Sequence, residues 1–179
     1  MADIQYFVGL DLGQARDFTA LAVLERSRPA EDPFRELLQR EDWSEFDLVA
    51  AQQTATKRER TYAVRHLERF PLGTSYPAIC DRIVELFAKP PVARATLVVD
   101  QTGVGRAVVD MIGRAGPKAT IRPITITSGL EIVPDGAGWH VPKKELVTIL
   151  QVLLQSRRLR VAANRYYKVV TAGPQKGRD

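Results

Sequence analysis

Two apolar runs in this 179-residue chain each end on a single carboxylate, and that repetition limits what it can fold into. The first is Phe7-Val8-Gly9-Leu10-Asp11-Leu12-Gly13; a short polar turn carrying Asp17 follows, and then a second apolar run to Leu24. The pattern predicts a hairpin over about residues 6 to 26, with Asp11 lifted to the rim of a sheet. An isolated charge in an apolar strand is costly to desolvate, so Asp11 is paired, exposed at the strand end, or bound to a cation. The design recurs in Ala95-Thr96-Leu97-Val98-Val99-Asp100, followed by Gln101-Thr102-Gly103-Val104-Gly105. Two strands that bring an Asp to the same edge offer a pair of hard oxygen ligands, the donors that Mg²⁺ or Mn²⁺ prefers.

The elements around these runs alternate in type. Residues 30 to 58 are acidic and Gln/Thr-rich without steady periodicity, which predicts an inserted polar loop with at most one short helix. Residues 60 to 70 resume the sheet, with Tyr62, Val64, His66, Glu68 and Phe70 on one side; the imperfect alternation is that of an edge strand. Pro77 opens a helix whose Ile79, Ile83, Leu86 and Phe87 share a face, and Lys89-Pro90-Pro91 ends it. After the Asp100 strand, Val104, Ala107, Val108, Met111, Ile112 and Ala115 form one helical stripe. Ile121 to Thr127 reads as a strand, Gly136 to Pro142 as a turn and a brief extended piece. Lys143-Lys144-Glu145 leads an amphipathic helix with Leu146, Ile149, Leu150, Leu153 and Leu154 on one face, and Leu159 to Ala162 reads as a short strand. The order predicts an α/β layer with a mixed sheet flanked by helices, over residues 1 to 163, and a basic, poorly ordered tail over 164 to 179.

Composition narrows the setting. A chain of this length with 45% hydrophobic residues can bury one good core, and it has no apolar window long enough to cross a membrane. The start, Met1-Ala2-Asp3-Ile4-Gln5, lacks the basic opening of a signal peptide. One cysteine, Cys80, and two histidines cannot build a disulfide or a four-ligand zinc site, and a reducing cytoplasmic location is expected. Cys80 reads as a small core-edge residue; His66 and His140 read as hydrogen-bonded structural groups. The net charge of +5 sits in the tail: from Arg157 onward seven basic residues face Asp179 alone, which leaves 19 basic against 20 acidic before it. Phosphate attraction needs clustered cations, so Arg157 and Arg158, with Lys143 and Lys144 at a helix start where positive charge is unfavourable, are the candidate phosphate contacts.

Three blocks together, Gly9-Leu10-Asp11-Leu12-Gly13 with Asp17-Phe18-Thr19-Ala20, then Leu97-Val98-Val99-Asp100-Gln101-Thr102-Gly103-Val104-Gly105, then Val141-Pro142-Lys143-Lys144-Glu145-Leu146 before a leucine-rich helix and Arg158-Leu159-Arg160-Val161, carry a resemblance over residues 5 to 163. The chain resembles the nuclease domain of bacteriophage terminase large subunits, a ribonuclease-H-like fold. The resemblance implies a divalent-metal-dependent endonuclease that cuts double-stranded DNA during packaging. On that reading Asp11 bridges two ions, Asp100 binds one of them, and Asp17 is a further catalytic candidate. Family members carry another Asp on a helix near the C-terminus; after Ala163 this chain has only Asp179, so its C-terminal part is truncated or altered and its metal site incomplete unless a partner completes it. No Gly-rich loop ending in Gly-Lys-Ser/Thr occurs, so a packaging ATPase would be a separate partner. Two alternatives stand beside this: an actin- or sugar-kinase-like nucleotide-binding fragment, in which Asp100-Gln101-Thr102-Gly103 meets phosphates, and a non-catalytic DNA-contacting remnant that binds through its basic tail.

Overall fold

The computed structural model describes residues 3–13, 17–28, 40, 42, 44–57, 59–103, 106–136, 138–161 and 167–169. β1 (Asp3–Asp11) and β2 (Ala20–Arg28) form the expected hairpin, in register from Asp3 against Arg28 to Asp11 against Ala20. Further along come β3 (Thr61–Arg69), α2 (Tyr76–Phe87), β4 (Thr96–Asp100), α3 (Arg106–Ala115) and β5 (Thr120–Thr127). The hairpin β6 (Val133–Asp135) and β7 (Gly138–Pro142), then α4 (Lys143–Gln155), β8 (Leu159–Val161) and β9 (Tyr167–Val169), close the chain. One nine-stranded mixed sheet results, ordered β6-β7-β5-β4-β1-β2-β3-β8, with β9 also paired to β3. The antiparallel pairs are β1 with β2, β2 with β3 and β6 with β7; the rest are parallel.

One face of the sheet carries the core. Val8, Leu10, Leu21, Val23, Leu97 and Val99 meet Ile79, Cys80, Ile83 and Phe87 of α2 and Val108 and Ile112 of α3. Ser75 caps α2 by accepting the Ala78 N–H, and Pro77 occupies the first turn, where its missing donor costs nothing. The crossovers β3-α2-β4 and β4-α3-β5 step one way along the sheet, whereas β7-α4-β8 steps back across it. Right-handed crossovers therefore assign α4 to the opposite face. No residue of α4 is buried; Leu146, Ile149, Leu150 and Leu154 are each more than a third exposed, so its apolar face is not sealed against the sheet.

Four expectations need correction. Within residues 30 to 58, Glu45–Lys57 is a 13-residue helix, α1. A local cap starts it: Asp47 Oδ2 accepts from the Ser44 N–H and hydroxyl, and the Asp47 N–H donates to Ser44 Oγ. It has no apolar stripe, which is why periodicity does not reveal it; the remaining residues of that stretch lie mostly outside those described. β3 is not an edge strand, because β8 and β9 pair with its outer side at Tyr62–Val64 and Leu67–Arg69. Its alternation is broken by a bulge: Val23 is opposite His66 but Leu24 is opposite Val64, so Arg65 is extra and Val64 and His66 point to different faces. The α3 stripe is narrower than read, with Val108 and Ile112 buried and Ala107, Met111 and Ala115 exposed, since one line of the helix meets the sheet; Val104 lies outside the described residues. In the tail, Tyr167–Val169 form β9, where β-prone residues meet the open side of β3; residues 164–166 and 170–179 lie outside those described.

Candidate functional site

Asp11 and Asp100 are register partners at the C-terminal ends of neighbouring parallel strands. Registered residues of parallel strands send their side chains to one face, and adjacent strands lie about 4.8 Å apart. Both carboxylates leave the sheet on the face opposite the α2/α3 core, because Leu10 and Val99, one residue before each, are buried in it. The strands thus deliver their charges to the rim after their apolar residues are spent. Burial raises the Asp11 pKa above the ordinary carboxylate range, and the negative charges of Asp100 and then Asp17 push it further up. Asp11 therefore feels both of the other carboxylates. Among the described residues, however, no three His, Cys, Asp or Glu side chains converge closely enough to hold an ion together. Asp100 Oδ1 also accepts the Thr102 N–H at 2.8 Å, which shapes the turn after β4, with Gly103 at φ 78°.

Asp17 is exposed in the turn between β1 and β2. That turn is tight: the Gly13 N–H donates to the buried Thr19 Oγ1 at 3.1 Å, and a Cβ on Gly13 would lie 2.2 Å from the Asp17 carbonyl oxygen. Only glycine leaves room for the backbone that places Asp17 near Asp11.

The same register continues sideways. Asp100 is opposite Ile124 on β5, Asp11 opposite Ala20 on β2, and Ala20 opposite Arg69 on β3. These side chains lie in one transverse row, and Asp11, Ala20, Arg69, Asp100 and Ile124 line one groove of about 770 Å³. Its floor is apolar, and it stays open because Gly9 and Ala22 stand where larger side chains would fill it. The Arg69 guanidinium lies 4.4 Å from the centroid of the Phe18 ring, which is 41% exposed in the β1–β2 turn. Neither Arg69 nor Phe18 is singled out by the sequence, since the signal for them is a register that only pairing reveals.

The other candidates are spread out. Lys143 and Lys144 open α4 where β7 ends, at the same end of the sheet as the carboxylates, because β7, β5 and β4 run parallel. Arg157 and Arg158 lie at the opposite end, before β8, whose first residue is opposite Tyr62. Arg158 is engaged in structure: it bonds Glu59 at 2.8 Å and donates to the Arg60 carbonyl at 2.9 Å. His66 and His140 both meet carboxylates, Glu68 at 3.0 Å and Asp135 at 3.2 Å. Cys80 is buried in the core, and burial raises its thiol pKa.

No family model matches the chain, and no curated protein does. Among solved structures, the chain is similar to the human cytomegalovirus terminase nuclease domain, determined after a manganese soak with an inhibitor bound, at 13% identity over 96% of this chain and 69% of that one, with a TM-score of 0.47. No helix among the described residues is long and apolar enough to cross a membrane.

Proposed function

We propose that this chain is a nuclease-like domain that acts on the phosphodiester backbone of double-stranded DNA, with Mg²⁺ or Mn²⁺ held by Asp11 and Asp100. What supports the reading is the register of Asp11 against Asp100 at the ends of two parallel strands. The donor set suits a hard divalent ion: two carboxylates share a rim, and the proton affinity of Asp11 is raised by burial and by the charges of Asp100 and Asp17, a repulsion that a cation relieves. Bound there, such an ion supplies an activated water and stabilises the oxygen that departs in phosphodiester hydrolysis. Asp17 adds negative charge from the turn, and Lys143 and Lys144 contact phosphates at the same end of the sheet. Two carboxylates are fewer than a two-ion centre needs, so a partner chain, such as a packaging ATPase, supplies the remaining ligand.

The test is nicking of supercoiled plasmid with Mn²⁺, with and without candidate partners. Nicking that is lost in both Asp11→Ala and Asp100→Ala supports the proposal; nicking that persists in both, or a wild type that binds no Mn²⁺ by calorimetry, refutes it.

A further inference from the structure

We propose that Arg69, held against Phe18, is a phosphate-binding side chain of this site, and that it grips a DNA strand beside the phosphate at the carboxylate pair. The inference rests on the proposed function only for the identity of the neighbouring phosphate. Arg69 is two strands from Asp11 in the same transverse row, roughly 10 Å away across Ala20. Ala20 has no bulk to block the space between them, and all three residues line one groove. One strand can therefore present one phosphate to the carboxylates and another to the guanidinium.

Arg26 also lies over a ring, Phe7 at 5.1 Å, but its guanidinium donates to Gln5. Four other arginines, Arg65, Arg82, Arg106 and Arg158, each reach a carboxylate. Arg69 pairs with none among the described residues; its contact is the Phe18 ring. Stacking on an aromatic face holds a guanidinium in place while its in-plane N–H donors remain available, the geometry for a phosphate. It also accounts for Phe18, an apolar ring left exposed in a turn. An arginine whose task was to neutralise the carboxylates would stand next to them. This one is set one strand further off, where it adds positive potential at the border of an acidic rim.

The experiment measures binding of a labelled DNA duplex by fluorescence anisotropy over a salt series, with Ca²⁺ replacing Mn²⁺ to avoid cleavage, alongside Mn²⁺ calorimetry. For Arg69→Ala, the slope of log affinity against log salt becomes shallower by about 0.9, the contribution of one phosphate contact. Mn²⁺ affinity stays at the wild-type value, Arg69→Lys restores the slope, and Phe18→Leu weakens binding with the slope kept. An unchanged slope in Arg69→Ala, or a wild type that does not bind the duplex, overturns the inference. A wild type that takes no Mn²⁺ but loses salt slope in Arg69→Ala refutes the metal reading and leaves Arg69 standing, so the two failures are separable.

Discussion

Replacing Asp11 by Asn should stabilise the metal-free protein and remove its response to metal. Asp11 and Asp100 sit on adjacent strands in register, so their charges lie roughly 5 Å apart. The Asp11 side chain is partly desolvated at its base but opens to water at the rim, so water-like screening applies, and Coulomb's law then gives a repulsion of about 1 kcal/mol, or about 0.5 kcal/mol with physiological salt. For a domain of this size that corresponds to a rise in Tm of about 1–4 °C. The pH dependence has a definite sign. The pKa of Asp11 is raised in the folded state from its ordinary 3.8, so the folded protein holds this proton more tightly than the unfolded chain. The penalty is absent below the unfolded value and complete above the folded one; the advantage of Asp11→Asn therefore shrinks as pH falls toward 4. Mn²⁺ at about 100 times its Kd should stabilise the wild type by about 2.7 kcal/mol, or about 5–10 °C, and leave Asp11→Asn nearly unmoved. Scanning calorimetry with EDTA and with Mn²⁺ reads both effects. A lower Tm for Asp11→Asn in EDTA, or an equal gain from Mn²⁺ in the two proteins, would refute the reasoning.

Two further outcomes follow from other parts of the fold. The Glu68 side chain is fully buried, and Arg82 donates to both of its oxygens at 2.9 Å. Arg82→Ala should cost about 3 kcal/mol, because it leaves that carboxylate without its main partner, and equilibrium denaturation measures the loss. Burial pushes the Glu68 pKa up, but Arg82 and His66 outweigh it and leave the pKa lowered from 4.5. Glu68 thus contributes stability above pH 4.5 that is lost as pH falls through its folded value, and this acid-side loss should vanish in Arg82→Ala. Gly13→Ala should displace the β1–β2 turn, since its Cβ would overlap the Asp17 carbonyl; a destabilisation of about 1–3 kcal/mol with weakened Mn²⁺ binding checks this by calorimetry.

The sheet's centre was legible because its signals are local. β1 and β4 are short apolar runs whose last residue is charged, so their type and the rim position of Asp11 and Asp100 follow from the residues themselves. α2 is equally plain, since Pro77 and the spacing of Ile79, Ile83 and Phe87 mark its start and its face. Legibility fails where partners decide. α1 depends on a reciprocal bond between Ser44 and Asp47 instead of an apolar stripe. The bulge at Arg65 reverses the faces of half of β3, so counting alternate residues puts Val64 and His66 together when they are apart. Arg69 went unseen for that reason: its place in the carboxylate row depends on three strand pairings in succession.

Glu68 and Arg69 are consecutive, and they look in opposite directions through the sheet. If β3 slid by one position, the carboxylate would emerge in the row of Asp11, across Ala20 from it, and the guanidinium would be driven into the apolar interior. The paired hydrogen bonds from Arg82 to Glu68 oppose that slide, because they need the Glu68 carboxylate on the α2 side of the sheet. A latch on the α2 side of the sheet thereby sets the sign of the charge presented on the other.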